Sequence, residues 1–208
     1  AREVLVALPA ELTPAQRREL AQGIAQALAD RYGTAGTLAV HTPDREGDQR
    51  NHHAHILMTT RRLEPSGALG EKTRELDDVK RGPQEVEWVR AMIEARTNHA
   101  LERAGSEARV DRRSLVEQRA AALEAGELER AAELDRLPTI HEGPRVTAIR
   151  RECEREQRAP LAPVTRLQVN NDRRQLAADR AELGSVSAQI IDIEQARAER
   201  AAREQATG

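Results

Sequence analysis

Strand-forming sequence is confined to the first sixty of the 208 residues, so the chain can build one small sheet and must be largely helical elsewhere. Residues 2–8, Arg-Glu-Val-Leu-Val-Ala-Leu, combine branched apolar side chains with the twofold period of a strand. That period sends Glu3, Leu5 and Ala7 to one face and Val4, Val6 and Leu8 to the other. Pro9 ends the strand. Thr13-Pro14-Ala15-Gln16 is a capping box with proline at the first helical position. The helix it opens carries Leu20, Ile24, Ala27 and Leu28 on one stripe, and Gly33 stops it. Thr37–His41 reads as a second strand, Thr42–Asn51 as a polar loop, and His52–Thr60 as a third strand. The order is β-α-β-loop-β, with the last two strands expected to pair antiparallel.

Beyond residue 60 the pattern changes. Residues 61–83 hold Pro65, Gly67, Gly70, Gly82 and Pro83 and read as loop, with one short helix around Lys72–Asp78. Val86, Val89 and Ile93, with Trp88 and Met92, predict a helix over 84–104 that Gly105 closes. Residues 111–136 are helical with a break at Gly126. Pro138–Pro144 forms a turn that His141 is expected to fix by hydrogen bonding, and Val146–Gln157 is a further helix. Pro160 and Pro163 mark a linker over 159–171. A C-terminal amphipathic helix follows at 172–208, where Leu176, Leu183 and Ile190 alternate with Val186 and Ile193 at heptad spacing. Gly184 interrupts these two heptads, which favours a packing helix over a coiled coil. The expected class is α+β: a two-layer antiparallel sheet with flanking helices in 1–60, followed by a mostly helical C-terminal half, its first part spanning 61–158.

Composition narrows the function classes. Aromatic residues are 1% of the chain, with no Phe, one Trp and one Tyr, which argues against a binder built on base-stacking platforms. The single cysteine, Cys153, allows neither an intramolecular disulfide nor a paired-cysteine metal knuckle, and points to a reducing cytoplasm. No apolar run reaches membrane-spanning length. Lys and Arg total 33 against 35 Asp and Glu, a net charge of −2, so no whole-chain basic footprint exists and polyanion binding must come from a local site. The first residue is Ala rather than Met, as expected of a fragment or a processed product.

The informative stretch is His41 followed by Asn51-His52-His53-Ala54-His55-Ile56-Leu57-Met58. His53 and His55 lie two apart on a strand, so their rings leave the same face about 7 Å apart. His41 ends the neighbouring strand and brings a third imidazole within reach. Three neutral imidazoles on rigid strands leave open positions on a divalent metal, which suits Lewis-acid chemistry on a phosphate oxygen. The plainer reading, a His-x-His pair decorating a half-buried sheet, stands level with it. His52 points to the opposite face and is no ligand.

Asn51-His52-His53-Ala54-His55-Ile56-Leu57-Met58-Thr59-Thr60-Arg61 resembles the histidine motif of MobA/MobL-family conjugative relaxases, of the HUH endonuclease class. Arg2-Glu3 with Ala7-Leu8-Pro9-Ala10-Glu11-Leu12 is similar to that family's strand before its first helix. Arg109-Val110-Asp111-Arg112-Arg113-Ser114-Leu115 and Pro138-Thr139-Ile140-His141-Glu142-Gly143-Pro144 are similar to its later segments, so the resemblance spans roughly residues 1–150. It implies an antiparallel sheet with the histidines on central strands. The implied enzyme nicks and rejoins single-stranded plasmid DNA at the origin of transfer through a tyrosyl-phosphate intermediate. On the matching positions His41, His53 and His55 would bind Mg²⁺ or Mn²⁺. Glu3 lies where the family places an acidic residue near the nucleophile, as general base or as orienter of a histidine. Arg61, Arg62, Lys72, Arg74, Lys80 and Arg81 fall in a region that clamps DNA in the family. Arg61, Arg62, Lys72 and Arg74, with Arg112 and Arg113 from the later segment, are the expected DNA contacts. Relaxosome accessory proteins and a type IV secretion coupling protein are implied as further partners, in a bacterial cytoplasm.

Two departures qualify this expectation. The family nucleophile is a tyrosine on a strand preceding everything in this chain, and the one tyrosine here, Tyr32, ends the first helix beside Gly33 and reads as a packing residue. The nucleophile is therefore expected to be absent. Residues 61–119 carry 13 basic and 12 acidic side chains, so any DNA affinity must come from selected arginines. The rival functions are a DNA-gripping remnant without cleavage, a helical adaptor, and a metal-dependent hydrolase of a small phosphate.

Overall fold

The computed structural model describes residues 1–45, 48–160 and 164–183. The chain divides into two compact units, Ala1–Arg112 and the chain from Arg113 onward. This division falls inside the 61–158 segment expected from the sequence, because the helix over Gly82–Arg103 packs on the core of the first sixty residues.

The first unit is α+β. Strands β1 (Arg2–Leu8), β2 (Gly36–His41) and β3 (His52–Met58) form one antiparallel sheet in the order β1-β3-β2. In the chain, edge strand β2 precedes central strand β3. Helix α1 (Pro14–Tyr32) starts at the Thr13–Gln16 capping box and ends at Gly33, whose φ of 60° is the left-handed conformation that favours glycine there. Burial alternates along β1 as the twofold period requires: Val6 and Leu8 are buried, and Glu3, Leu5 and Ala7 are exposed. Val6, Leu8, Ala54, Ile56 and Met58 meet Leu20, Ala21, Ile24, Leu28 and Tyr32 of α1 in the core. Helix α2 (Gly82–Arg103) closes that core with Leu101 and the partly buried Trp88, Val89, Met92 and Ile93. The opposite sheet face stays open, with Glu3, Leu5, Ala7, Thr37, Ala39, His41 and Leu57 exposed on it.

Residues 61–83 differ from the expected loop and short helix. They form a hairpin, β4 (Arg61–Leu63) with β5 (Leu69–Lys72), turned at Gly67, whose φ is 83°. Strands of three and four residues carry too little alternation to stand out from loop sequence. The stretch after β5 makes turns on the Arg74 carbonyl, which accepts from the Asp77 and Asp78 amides, and no helix.

An ion pair centred on the buried Glu85 ties α2 to α1. Arg31 donates to both oxygens of the buried Glu85 at 3.1 and 3.2 Å, and the Tyr32 hydroxyl donates to Glu85 Oε2 at 3.3 Å. The Arg31 guanidinium also lies 4.3 Å from the Trp88 ring, against which Tyr32 packs edge-on. Burial raises the Tyr32 pKa above its ordinary value, and the Glu85 carboxylate adds to the shift. Because the folded value is the higher one, the neutral phenol's contribution to stability is complete below the unfolded-state pKa and is lost as pH rises through the folded value. Absorbance titration of this single tyrosine is expected to give a phenolate transition above that of the unfolded chain. In Glu85→Gln the transition moves back toward it.

The second unit is helical: α3 (Leu115–Glu124), α4 (Leu128–Leu134), α5 (Gly143–Glu156) and α6 (residues 165–183). Ser114 and Glu117 make a capping box for α3, and Gly126 breaks α3 from α4 with φ 75°. Helix α6 begins inside the expected 159–171 linker, because Leu167 and Asn170 are buried and hold that segment in place. Asn170 also corrects the expected role of His141. The Asn170 side chain accepts from the Ile140 amide at 2.7 Å and donates to the Ile140 carbonyl at 2.8 Å and to Glu142 at 3.0 Å. It pins the 138–144 turn while His141 is exposed. Of the expected heptad positions, Val186, Ile190 and Ile193 lie outside the described residues, and Leu176 and Leu183 are exposed.

Candidate metal centre

The site grows from the register of the central strand. His53 of β3 pairs with His41 of β2, and His55 pairs with Ala39 on one side and Leu5 on the other. Alternation puts His53 and His55 on the open face, and the register brings His41 directly beside them. The ring centroids are 5.3 Å apart for His41–His53, 4.6 Å for His41–His55 and 5.3 Å for His53–His55. One nitrogen from each ring can be chosen so that all three lie within 4.8 Å of one another. A tripod of this size can hold a metal ion.

The outer nitrogens are engaged. His55 Nδ1 lies 2.6 Å from Glu3 Oε1, and His53 Nδ1 lies 2.9 Å from the Asn51 carbonyl oxygen. A carboxylate and a carbonyl both accept, so each Nδ1 carries the proton and each Nε2 keeps its lone pair for a ligand bond. Glu3 reaches His55 across the β1–β3 diagonal, since Glu3 itself pairs with Leu57. The Asn51 carbonyl is a contact that sequence reading missed, because a backbone oxygen leaves no side-chain signal. His52 turns to the other face, where burial, then Arg17 and His53, lower its pKa from the ordinary value. Tyr32 is buried in the core on that same far side of the sheet.

The six expected DNA contacts fall into different surroundings. Arg61 is exposed and donates from Nη1 to the Gly70 carbonyl at 2.8 Å. Arg62 donates to the Tyr32 carbonyl at 3.0 Å and is ion-paired with Glu75. Lys72 and Arg74 are exposed, with no ion pair among the described residues. Arg112 is held between Glu87 at 2.5 Å and Glu94 at 2.6 Å. Arg113 is exposed and opens the second unit. Arg61, Lys72 and Arg74 therefore present charge with no ion pair among the described residues, whereas phosphate would have to displace a carboxylate from Arg62 and Arg112.

The sequence model of the MobA/MobL family matches residues 1–152, a span that includes all three histidines and Glu3. The chain belongs to the MobA/MobL family. It is 35% identical over 182 residues to the mobilization protein MobL of Acidithiobacillus ferridurans, covering 76% of this chain and 44% of that one. It is 30% identical over 209 residues to mobilization protein A of Escherichia coli, covering 94% of this chain and 24% of that one. The chain thus spans less than half the length of these MobA/MobL relatives. A solved structure concerned with the molecular basis of vancomycin resistance transfer in Staphylococcus aureus is similar with a TM-score of 0.44 and 27% identity, over 54% of this chain and 56% of that one. The conjugative relaxase TrwC in complex with mutant OriT DNA is similar with a TM-score of 0.36 and 18% identity, over 86% and 71% of the two chains. No described helix is long and apolar enough to cross a membrane.

Proposed function

We propose that this MobA/MobL chain is the metal-binding part of a conjugative relaxase that nicks and rejoins single-stranded plasmid DNA at an origin of transfer. The observation that carries the reading is the three-histidine cluster on an open sheet face, inside the matched span of the family. In this reading His41, His53 and His55 hold a divalent ion. When bound, such an ion polarises the non-bridging oxygens of the scissile phosphate. Glu3 fixes the His55 tautomer and aims Nε2 into the cluster, and the Asn51 carbonyl does the same for His53. Glu3 is thus a positioning residue here rather than a general base. Arg61, Lys72 and Arg74 supply charge for the DNA backbone. The attacking tyrosine hydroxyl comes from outside residues 1–208, because Tyr32 is sealed in the core on the far side of the sheet.

The donor set also bears on the ion. Three imidazoles suit a first-row transition ion better than Mg²⁺, which prefers oxygen ligands. Calorimetric titration at neutral pH is expected to show one Mn²⁺ site, with Mg²⁺ bound more than about tenfold more weakly. Fluorescence anisotropy should then show single-stranded DNA binding that weakens steeply with salt. A folded chain that takes up neither ion overturns the metal reading. DNA binding without metal would leave the DNA-gripping remnant as the function.

A further inference from the structure

The open sheet face continues past the histidines into a cavity of about 490 Å³ at the other end of β3. Its lining includes Gly36 and Thr37 of β2, Leu57 of β3, Thr60, and Arg61 and Leu69 of the hairpin. Leu57 and Leu69 are exposed aliphatic side chains, 46% and 55% accessible, and both line the cavity. Leu57 follows His55 by two residues, so it lies on the same face about 7 Å further along the strand. Arg61 stands among the lining residues with its guanidinium tethered to the Gly70 carbonyl, and no carboxylate pairs with it among the described residues.

We infer that this cavity receives a nucleobase of the single strand whose phosphate lies at the histidine cluster, with Leu57 and Leu69 covering the base and Arg61 engaging the adjoining phosphate. The inference rests on the relaxase reading above and adds to it the part of the substrate that meets protein beside the metal. Three features select a base as occupant. The cavity is continuous with the histidine face through Leu57. It is apolar within, yet carries an unpaired guanidinium suited to a phosphodiester. It is also ample for one base. Ring stacking is not available there, since the chain has no Phe and both Tyr32 and Trp88 pack on the core side of the sheet. Aliphatic side chains then provide the contact, which tolerates different bases and suits the methyl group of thymine.

The test uses the full chain with Mn²⁺ and two fluorescent probes, a twelve-nucleotide oligothymidylate and an abasic strand of the same length. The wild-type chain is expected to bind oligothymidylate about tenfold more tightly than the abasic strand. Leu57→Ser combined with Leu69→Ser is expected to erase that difference, with Mn²⁺ affinity and the circular dichroism spectrum unchanged. Arg61→Gln should weaken both probes together and lower the salt dependence. Equal wild-type binding of the two probes overturns the base pocket and leaves the relaxase reading standing, as does an undiminished preference in the double variant. Failure of the wild-type chain to bind either probe overturns the DNA reading and the pocket with it.

Discussion

His55→Ala is expected to lower Mn²⁺ affinity by at least about a hundredfold while leaving the chain folded. His55 is one leg of the three-imidazole tripod, 4.6 Å from the His41 ring and 5.3 Å from the His53 ring. Losing a whole ligand exceeds the tenfold-to-hundredfold loss that follows removal of an outer-shell partner. The His55 side chain stands on the open sheet face and its hydrogen bond to Glu3 is partly exposed, so the cost in stability stays below about 1 kcal/mol. Glu3→Gln keeps an acceptor oxygen near His55 Nδ1 but removes the charge, and a smaller loss of about tenfold is expected. Glu3→Leu removes the acceptor as well and should cost more. Calorimetric titration of the three variants beside wild type, with thermal melts of each, checks the series. Equal Mn²⁺ affinity in wild type and His55→Ala would remove His55 from the ligand set.

Ile56→Ala is expected to do the reverse. Ile56 stands between His55 and Leu57 on β3, but it points to the core and is 2% exposed against α1. Truncation leaves a cavity in the packed layer between sheet and helices, at a cost of about 3 kcal/mol in the stability of the first unit. The histidine tripod faces the other way, so Mn²⁺ affinity measured below the melting transition should match wild type. Denaturant unfolding and metal titration of Ile56→Ala and His55→Ala therefore form a crossed pair, in which each variant loses what the other keeps. A joint loss of both properties in either variant would show that the two sheet faces are energetically coupled.

Much of the site was legible before any coordinates. The residue spacing in His53-Ala54-His55 settles that two rings share a face, because strand geometry alternates side chains wherever the strand lies. The same local rule separated Glu3, Leu5 and Ala7 from Val4, Val6 and Leu8, and burial along β1 follows it. The Thr13 capping box and the Gly33 stop are equally local, since each is completed within three or four residues. The β4–β5 hairpin leaves no signal in the sequence because its strands are too short to show a period. The 165–171 segment reads as linker in the sequence because its helix is fixed by the burial of Leu167 and Asn170, which only the packed structure shows.

The amino-acid order by itself determined which side chains lie on the histidine face, where the first helix begins, and membership of a mobilization family through segments spread over roughly residues 1–150. The tertiary structure alone decided that β3 is central, with His41 in register with His53 and Glu3 in reach of His55. It also decided that Arg62 and Arg112 spend their charge on Glu75, Glu87 and Glu94, whereas Arg61 does not. The division has one physical cause. Alternation and capping are settled by bonds and sterics within a few residues, whereas pairing of strands and of charges depends on groups dozens of residues apart that only the packed core of the first unit brings together.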